Sequence, residues 1–314
     1  MGYSIGIDGG GTKTDCVVLD ADGAVVGEAR GGPANPLRAG YEVAFSSISE
    51  AAAKALKNSH LRTGDVTSVC AGLAGAGRRS TVRRMMVFLT HEFPRAVAKV
   101  ATDYEIALET AAGSGPGVVL IAGTGSVAYG RNAAGETARA GGYGPWIGDE
   151  GSAFEIGRRA VAAVARTRDH DAPVTLLAEM ISSVLECPDW DDLMQRIMKN
   201  PDDVFPKVFP VVAEAANADD STAKEILFTA AIGLGNLAMV VVRRLGLKEQ
   251  EFPLVKCGGV FGRSTMLDGL LDSVLVSGAL KAKISRLETS PAVGAARMAA
   301  RLAESPSRAA IHGD

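Results

Sequence analysis

Asp8-Gly9-Gly10-Gly11-Thr12-Lys13-Thr14 is the stretch on which the fold turns. The run at 3–8 reads as a strand that leads into the glycines, and a second strand follows at about 14–19. Three consecutive glycines let backbone amides face a ligand with no side chain in the way, which makes an anion-binding concavity. Thr12 and Thr14 add hydroxyl donors and Lys13 adds a positive charge. Gly10, Gly11, Thr12, Lys13 and Thr14 are therefore the candidate phosphate ligands. Asp8, ending the strand, is placed to orient a hydrated Mg2+. The spacing is not that of a Walker A loop, and a strand instead of a helix follows, so the dinucleotide fingerprint is excluded as well. A plain β-hairpin turn is the alternative, but it needs fewer glycines.

Outward from this hairpin, Asp22-Gly23 is a second tight turn and 24–29 a third strand, giving an antiparallel meander. Pro33 and Pro36 mark a loop around Asn35. A helix is expected at 42–57, a strand at 67–70 entering the loop 71–77, a helix at 81–93, a strand at 99–102 ending at Asp103, and a helix at 106–112. The pattern then restarts: strand 118–121, turn Gly123-Thr124-Gly125, strand 126–130, turn 132–135, strand 136–140. Residues 152–246 are mainly helical. A strand at 253–257 runs into Gly258-Gly259, and a helix, a short strand and a last helix from Pro291 complete the chain. The echo of strand, glycine turn and strand predicts an α/β protein of two related halves, with the site in the cleft between them. The expected domains are 1–115 and 116–304, with the last helix a candidate to pack back on the first, and a frayed tail at 305–314.

Gly123-Thr124-Gly125-Ser126 repeats the hydroxyl-and-glycine chemistry, so Thr124 and Gly125 join the phosphate candidates. Gly258-Gly259 follows a strand and precedes a helix. It either lets an adenine ring approach the backbone or is a simple strand-to-helix turn. Asp103 ends a strand, where a carboxylate either caps the next helix or takes the proton of an alcohol attacking ATP. Gly144-Pro145-Trp146-Ile147-Gly148-Asp149-Glu150-Gly151-Ser152 combines turns, an aromatic and two acids, which suits sugar hydroxyls. The alternative is a helix start capped by Asp149 and Ser152.

Composition narrows the classes. Of 314 residues, 47% are hydrophobic and 22% charged, which fits a globular core and excludes a disordered chain. A net charge of −3 leaves no excess of cations to hold nucleic acid. Cys16, Cys70, Cys187 and Cys257 are scattered, and Cys16, Cys70 and Cys257 fall in or beside apolar strands. They read as buried, reduced thiols of a cytoplasmic protein. His60, His91, His170 and His312 are isolated, so no structural zinc is expected. No signal peptide is expected from residues 3–8. The apolar run at 226–242 is at the short limit for a membrane span and reads as a buried central helix, core or dimer interface.

Taken together, Ile5-Gly6-Ile7-Asp8-Gly9-Gly10-Gly11-Thr12-Lys13-Thr14, Ala71-Gly72-Leu73-Ala74-Gly75, Thr102-Asp103, Ala122-Gly123-Thr124-Gly125-Ser126, Gly148-Asp149-Glu150-Gly151-Ser152 and Cys257-Gly258-Gly259-Val260 resemble the BadF/BadG/BcrA/BcrD ATPase family, at its N-acetylglucosamine kinase-like branch. They occur in the family's order over roughly residues 5 to 300. The resemblance implies a two-domain actin-like (ribonuclease H-like) ATPase fold that closes on ATP, Mg2+ and an amino sugar. It implies that Asp103 is the base on the sugar 6-hydroxyl, that Asp8 positions Mg2+ through water, and that Thr12 and Thr124 are the phosphate-loop hydroxyls. It also implies sugar contacts at Asn35, Gly72, Gly123, Thr124, Gly144 and Asp149, and a nucleotide turn at Gly258 and Gly259. A homodimer is expected. The implied product is N-acetylglucosamine 6-phosphate. Asn35 is followed by Pro36-Leu37, without the aromatic of mammalian-type kinases, which keeps glucosamine and N-acetylmuramic acid open as substrates. The scattered cysteines argue against the branch that activates redox enzymes through an iron–sulfur cluster. A non-catalytic sugar sensor is the remaining alternative.

Overall fold

A computed structural model describes residues 2–170, 174–186 and 189–304. Cys187, His312 and the tail 305–314 lie outside the described residues. The chain divides into two compact units, one of Met1–Ser114 with Leu287–Asp314 and one of Gly115–Arg286.

In the first unit, β1 (Tyr3–Gly9), β2 (Thr14–Leu19) and β3 (Val25–Gly31) form the expected antiparallel meander. On the other side of β1 lie β4 (Val66–Leu73) and β5 (Val97–Thr102), both parallel to it. The sheet order is β3-β2-β1-β4-β5. β1 and β4 are inner strands and are buried over most of their length, as strands covered on both faces are. One face is covered by α1 (Tyr41–Asn58), whose alanine-rich stripe of Ala44, Ile48, Ala51, Ala52 and Ala55 is fully buried. α2 (Arg79–Glu92) follows β4, and α3 (Asp103–Ala112) follows β5 without a break. α3 thus begins three residues earlier than the expected 106, because Thr102 caps it.

The last helix, labelled α10 (Pro291–Glu304), belongs to this first unit. Two glycines mark where it lies. A Cβ on Gly6 of β1 would stand 2.0 Å from the Ala292 carbonyl oxygen, and one on Gly294 would stand 2.2 Å from Thr110 Oγ1 of α3. Arg301 closes the contact by pairing at 2.8 Å with the buried Glu109 carboxylate.

The second unit repeats the same sheet. β6 (Gly117–Ala122), β7 (Ser126–Arg131) and β8 (Thr137–Gly141) form a meander, with β9 (Phe252–Cys257) and β10 (Ala282–Arg286) parallel on the far side of β6. The order β8-β7-β6-β9-β10 matches the first sheet strand for strand. Between β8 and β9 run α4 (Ala153–Asp169), α5 (Leu176–Leu185), α6 (Trp190–Lys199), α7 (Pro201–Asn217) and α8 (Ser221–Arg244), and α9 (Thr265–Gly278) precedes β10. α8 is long and apolar enough to cross a membrane by length and composition, but half of its apolar stretch is buried in this unit, packed on β6, β7, β8 and α9. Cys16 and Cys70 are buried thiols, whereas Cys257 is only part-buried, since it ends β9 where the open Gly258 turn begins.

Candidate functional site

In the first unit the chemistry collects at one edge of the sheet. β1, β4 and β5 are parallel and in register, with Asp8 opposite Gly72 and Leu73 opposite Thr102, so Asp8, the 73–77 loop and Asp103 emerge together at the carboxyl ends of the strands. The β1–β2 hairpin closes with the Gly10 amide donating to the Lys13 carbonyl at 2.9 Å. Amides of Ala34 and Asn35 donate to the Gly10 carbonyl, and that of Ala74 to the Gly9 carbonyl, each at 3.0 Å, which ties the three loops into one surface. Gly11 and Thr12 are exposed, and their amides find no acceptor among the described residues. That is the open donor set an anion needs.

Asn35 sits beside these loops. Its Oδ1 accepts from the Leu37 amide at 3.0 Å, and a Cβ on Gly75 would stand 2.9 Å from it. Gly72 lies under Ile106 of α3, where a Cβ would come within 2.3 Å of the side chain. The glycine therefore lets α3 approach the strand ends. That places Asp103 at the edge, and Gly72's role in the structure is close packing.

Asp103 does not cap α3. Thr102 does, accepting from the Glu105 amide, while the Glu105 carboxylate takes the Thr102 amide and hydroxyl at 2.7 Å. Asp103 is thereby the first helical residue, with its carboxylate accepting from the Tyr104 amide at 3.0 Å. Burial pushes its carboxyl above the usual range, backbone hydrogen bonds oppose the shift, and Glu105 adds to it. Asp8 is raised to about 7, first by burial and then by the negative charges of Asp103 and Asp15, with Lys13 acting in the other direction. Asp8 and Asp15 face each other across the hairpin. Burial alone would raise Asp15, but Lys13 at 2.6 Å and Arg30 at 2.7 Å outweigh it and hold that carboxyl low. Lys13, a phosphate candidate, is thus engaged with Asp15. The pairing was absent from the sequence expectations. The signal that finds it is local, since Lys13 and Asp15 are two residues apart at the start of β2.

In the second unit the hairpin closes with the Gly123 amide donating to the Gly125 carbonyl at 2.9 Å, and the Gly123 carbonyl accepts from the Ala153 amide. Gly258 needs to be glycine twice over. Its φ is +115°, and a Cβ would stand 2.3 Å from the Ala122 carbonyl oxygen. The Val260 amide donates to that same carbonyl at 3.1 Å, so the Gly258-Gly259 turn lies directly beside the Gly123-Thr124-Gly125 hairpin. A Cβ on Gly123, Gly144 or Gly259 would meet nothing within 4 Å. Asp149 is buried at φ +64°, a left-handed conformation uncommon outside glycine. A Cβ on Gly125 would stand 2.8 Å from its Oδ2. Asp149 is therefore turned toward the hairpin. Ser152 caps α4, accepting from the Glu155 amide, while the Glu155 carboxylate takes the Gly151 amide at 3.0 Å.

Among the described residues no three His, Cys, Asp or Glu side chains converge on one metal-sized point. A cavity of about 330 Å3 lies elsewhere in this unit, between α4, α5 and α6, lined by Val164, Arg168, Ala178, Trp190 and neighbours.

Two matching sheets, each carrying a glycine hairpin between its first two strands, define the two-domain actin-like ATPase fold. The chain belongs to the BadF/BadG/BcrA/BcrD ATPase family, whose family model matches residues 5–299. It is 30% identical over 308 residues to the N-acetyl-D-glucosamine kinase of Dictyostelium discoideum, covering 94% of this chain and 97% of that one. It is 31% identical over 300 residues, with 94% and 97% covered, to the N-acetylmuramic acid/N-acetylglucosamine kinase of Clostridium acetobutylicum. Among solved structures it superposes on a candidate N-acetylglucosamine kinase from Chromobacterium violaceum with a TM-score of 0.74, at 25% identity and with 94% and 98% covered.

Proposed function

We propose that this protein is an ATP-dependent amino-sugar kinase that phosphorylates the 6-hydroxyl of N-acetylglucosamine. The observation that carries the proposal is the meeting of Asp8 and Asp103 at the carboxyl edge of the first sheet, each with a raised carboxyl. Buried carboxyls with raised pKa values at the carboxyl edge of a sheet mark a functional-site candidate, and phosphoryl transfer to an alcohol uses one carboxylate as the base for the hydroxyl. The relatives in Dictyostelium and Clostridium, at 30% and 31% identity over nearly the whole chain, supply the substrate class.

In this reading Asp103 accepts the proton of the attacking hydroxyl, and the first turn of α3 holds it in place. Asn35 and Asp149 orient the sugar, with Gly123, Thr124 and Gly144 giving close backbone approach. Gly10, Gly11, Thr12, Lys13, Thr124 and Gly125 take the phosphates, and Gly258 with Gly259 takes the nucleoside; Thr14, expected beside them, is buried with its hydroxyl donating to the Gly32 carbonyl at 2.7 Å and supports the hairpin instead. The residues also fit Mg2+: Asp8 is an oxygen donor whose ionisation is opposed first by burial and then by its carboxylate neighbours, a penalty that a cation would relieve, and Mg2+ retains waters when few protein ligands converge. Mg2+ would neutralise charge on the phosphates during transfer.

The test is incubation with ATP and Mg2+ against a panel of N-acetylglucosamine, glucosamine and N-acetylmuramic acid, following ADP release. Sugar-stimulated turnover highest with N-acetylglucosamine is the expected result, and ATP hydrolysis indifferent to every sugar would end the proposal. We further read the enzyme as a cytoplasmic homodimer. The buried thiols Cys16 and Cys70 suit a reducing compartment, and Phe228 of α8 and Val276 of α9 are half-exposed apolar side chains available to a second copy. Light scattering after size-exclusion chromatography tests the dimer.

A further inference from the structure

We propose that Trp146, with Ile147 beside it, forms the apolar subsite that receives the N-acyl group at C2 of the amino sugar. The inference rests on the kinase reading above and deepens it. The turn from Gly144 to Asp149 begins and ends at residues assigned to the sugar. It is held closed by the Ile147 and Gly148 amides, which donate to the Gly144 carbonyl at 3.2 and 2.9 Å. Between those ends it displays Trp146 at 76% and Ile147 at 81% exposure. Large apolar side chains turned to water on a rigid loop mark a contact surface.

Trp146 is anchored, not loose. Its ring meets Phe154 edge-on at 6.0 Å, and Phe154 meets Phe205 edge-on at 5.0 Å, so a chain of aromatic contacts runs from the loop into the core. Three-quarters of Trp146 remains exposed beyond the Phe154 contact, while the neighbouring Tyr143, 63% exposed, has the Arg139 guanidinium over its ring at 5.3 Å. An exposed indole next to a branched aliphatic side chain takes a methyl group. Ile147 offers nothing to the ammonium of glucosamine, and a carboxylate, Asp149, is already present for hydroxyls. The pair therefore separates an acylated amino sugar from a free one.

The chain has two tryptophans, Trp146 and Trp190. In Trp190→Phe, emission reports on Trp146 alone. Titration with N-acetylglucosamine is expected to shift that emission to saturation, whereas glucosamine at the same occupancy leaves it nearly unchanged. Trp146→Ala and Ile147→Ser are each expected to raise KM for N-acetylglucosamine about tenfold with kcat within about twofold, the pattern of lost uniform binding, and to leave KM for glucosamine in place. An unchanged KM for N-acetylglucosamine in both variants, or a larger loss for glucosamine than for its N-acetyl form, overturns the inference. Absence of sugar-dependent turnover in the unaltered protein would instead overturn the kinase reading. Both side chains are solvent-facing, and thermal melts matching the parent confirm that the variants are folded.

Discussion

Three acids crowd the first hairpin, and the protein treats each differently. Asp15 is held ionised by Lys13 and Arg30, Asp103 is lifted by burial, and Asp8, close to both, is lifted to about 7 from an ordinary 3.8. A carboxyl raised on folding binds more protons in the native state than in the unfolded one. Its contribution to stability is therefore full below about 3.8, is lost as pH rises toward 7, and is flat above that. Asp8→Asn removes the penalty. It is expected to melt a few degrees above the parent at pH 8, with the gap shrinking as pH falls below 7, and to lose phosphoryl transfer. Calorimetry at pH 5 and pH 8 checks the first half, and equal melting temperatures at pH 8 would refute it. Asp103→Asn is expected to lower kcat by about 10²–10⁴, the range for a lost general base, with nucleotide affinity retained in an equilibrium binding assay. Because the Asp103 carboxyl is raised, the transfer rate should climb from acid pH as that group loses its proton.

At the scale of elements, the first turn of α3 is what aims Asp103. Thr102→Ala removes the cap and its box with Glu105, which should cost about 1 kcal/mol and lower kcat along with the melting temperature. Gly72→Ala should do more to activity than to stability. The added methyl would meet Ile106 at 2.3 Å and move α3, and with it Asp103, away from the strand ends; a kcat equal to the parent would refute this. Much of this architecture was legible beforehand. Glycines that interrupt apolar runs disclosed both hairpins, and their recurrence disclosed the repeated sheet, because turn chemistry is local. The long-range parts were not. Gly72 reads as a ligand contact until Ile106 is seen above it, and Arg30 reads as a solvated cation until strand register sets it against Asp15. Asp149 reads equally as a sugar contact or a cap until its left-handed backbone sets it beside Gly125. Each depends on a neighbour distant in sequence or on a backbone angle that composition does not encode.

At the scale of the molecule, the second unit is one continuous segment, Gly115–Arg286, while the first is assembled from both ends of the chain. The sequence alone left open which half would claim the last helix, since Pro291–Glu304 is amphipathic and alanine-rich and fits either sheet. Gly6 settles it, as no larger residue admits the Ala292 carbonyl. Gly6→Ala is accordingly expected to cost about 1–3 kcal/mol and to raise hydrogen exchange in β1 and α10 while leaving β6 and β9 protected. Equal protection loss in both sheets would show that the two units unfold as one. During synthesis this arrangement imposes an order. The ribosome releases every strand of the first sheet early, yet the helix that covers β1 emerges last, after the whole inserted unit has had time to form. The nascent amino-terminal half must wait with an apolar face uncovered, so stalled or prematurely terminated chains should be the species that chaperones and proteases meet.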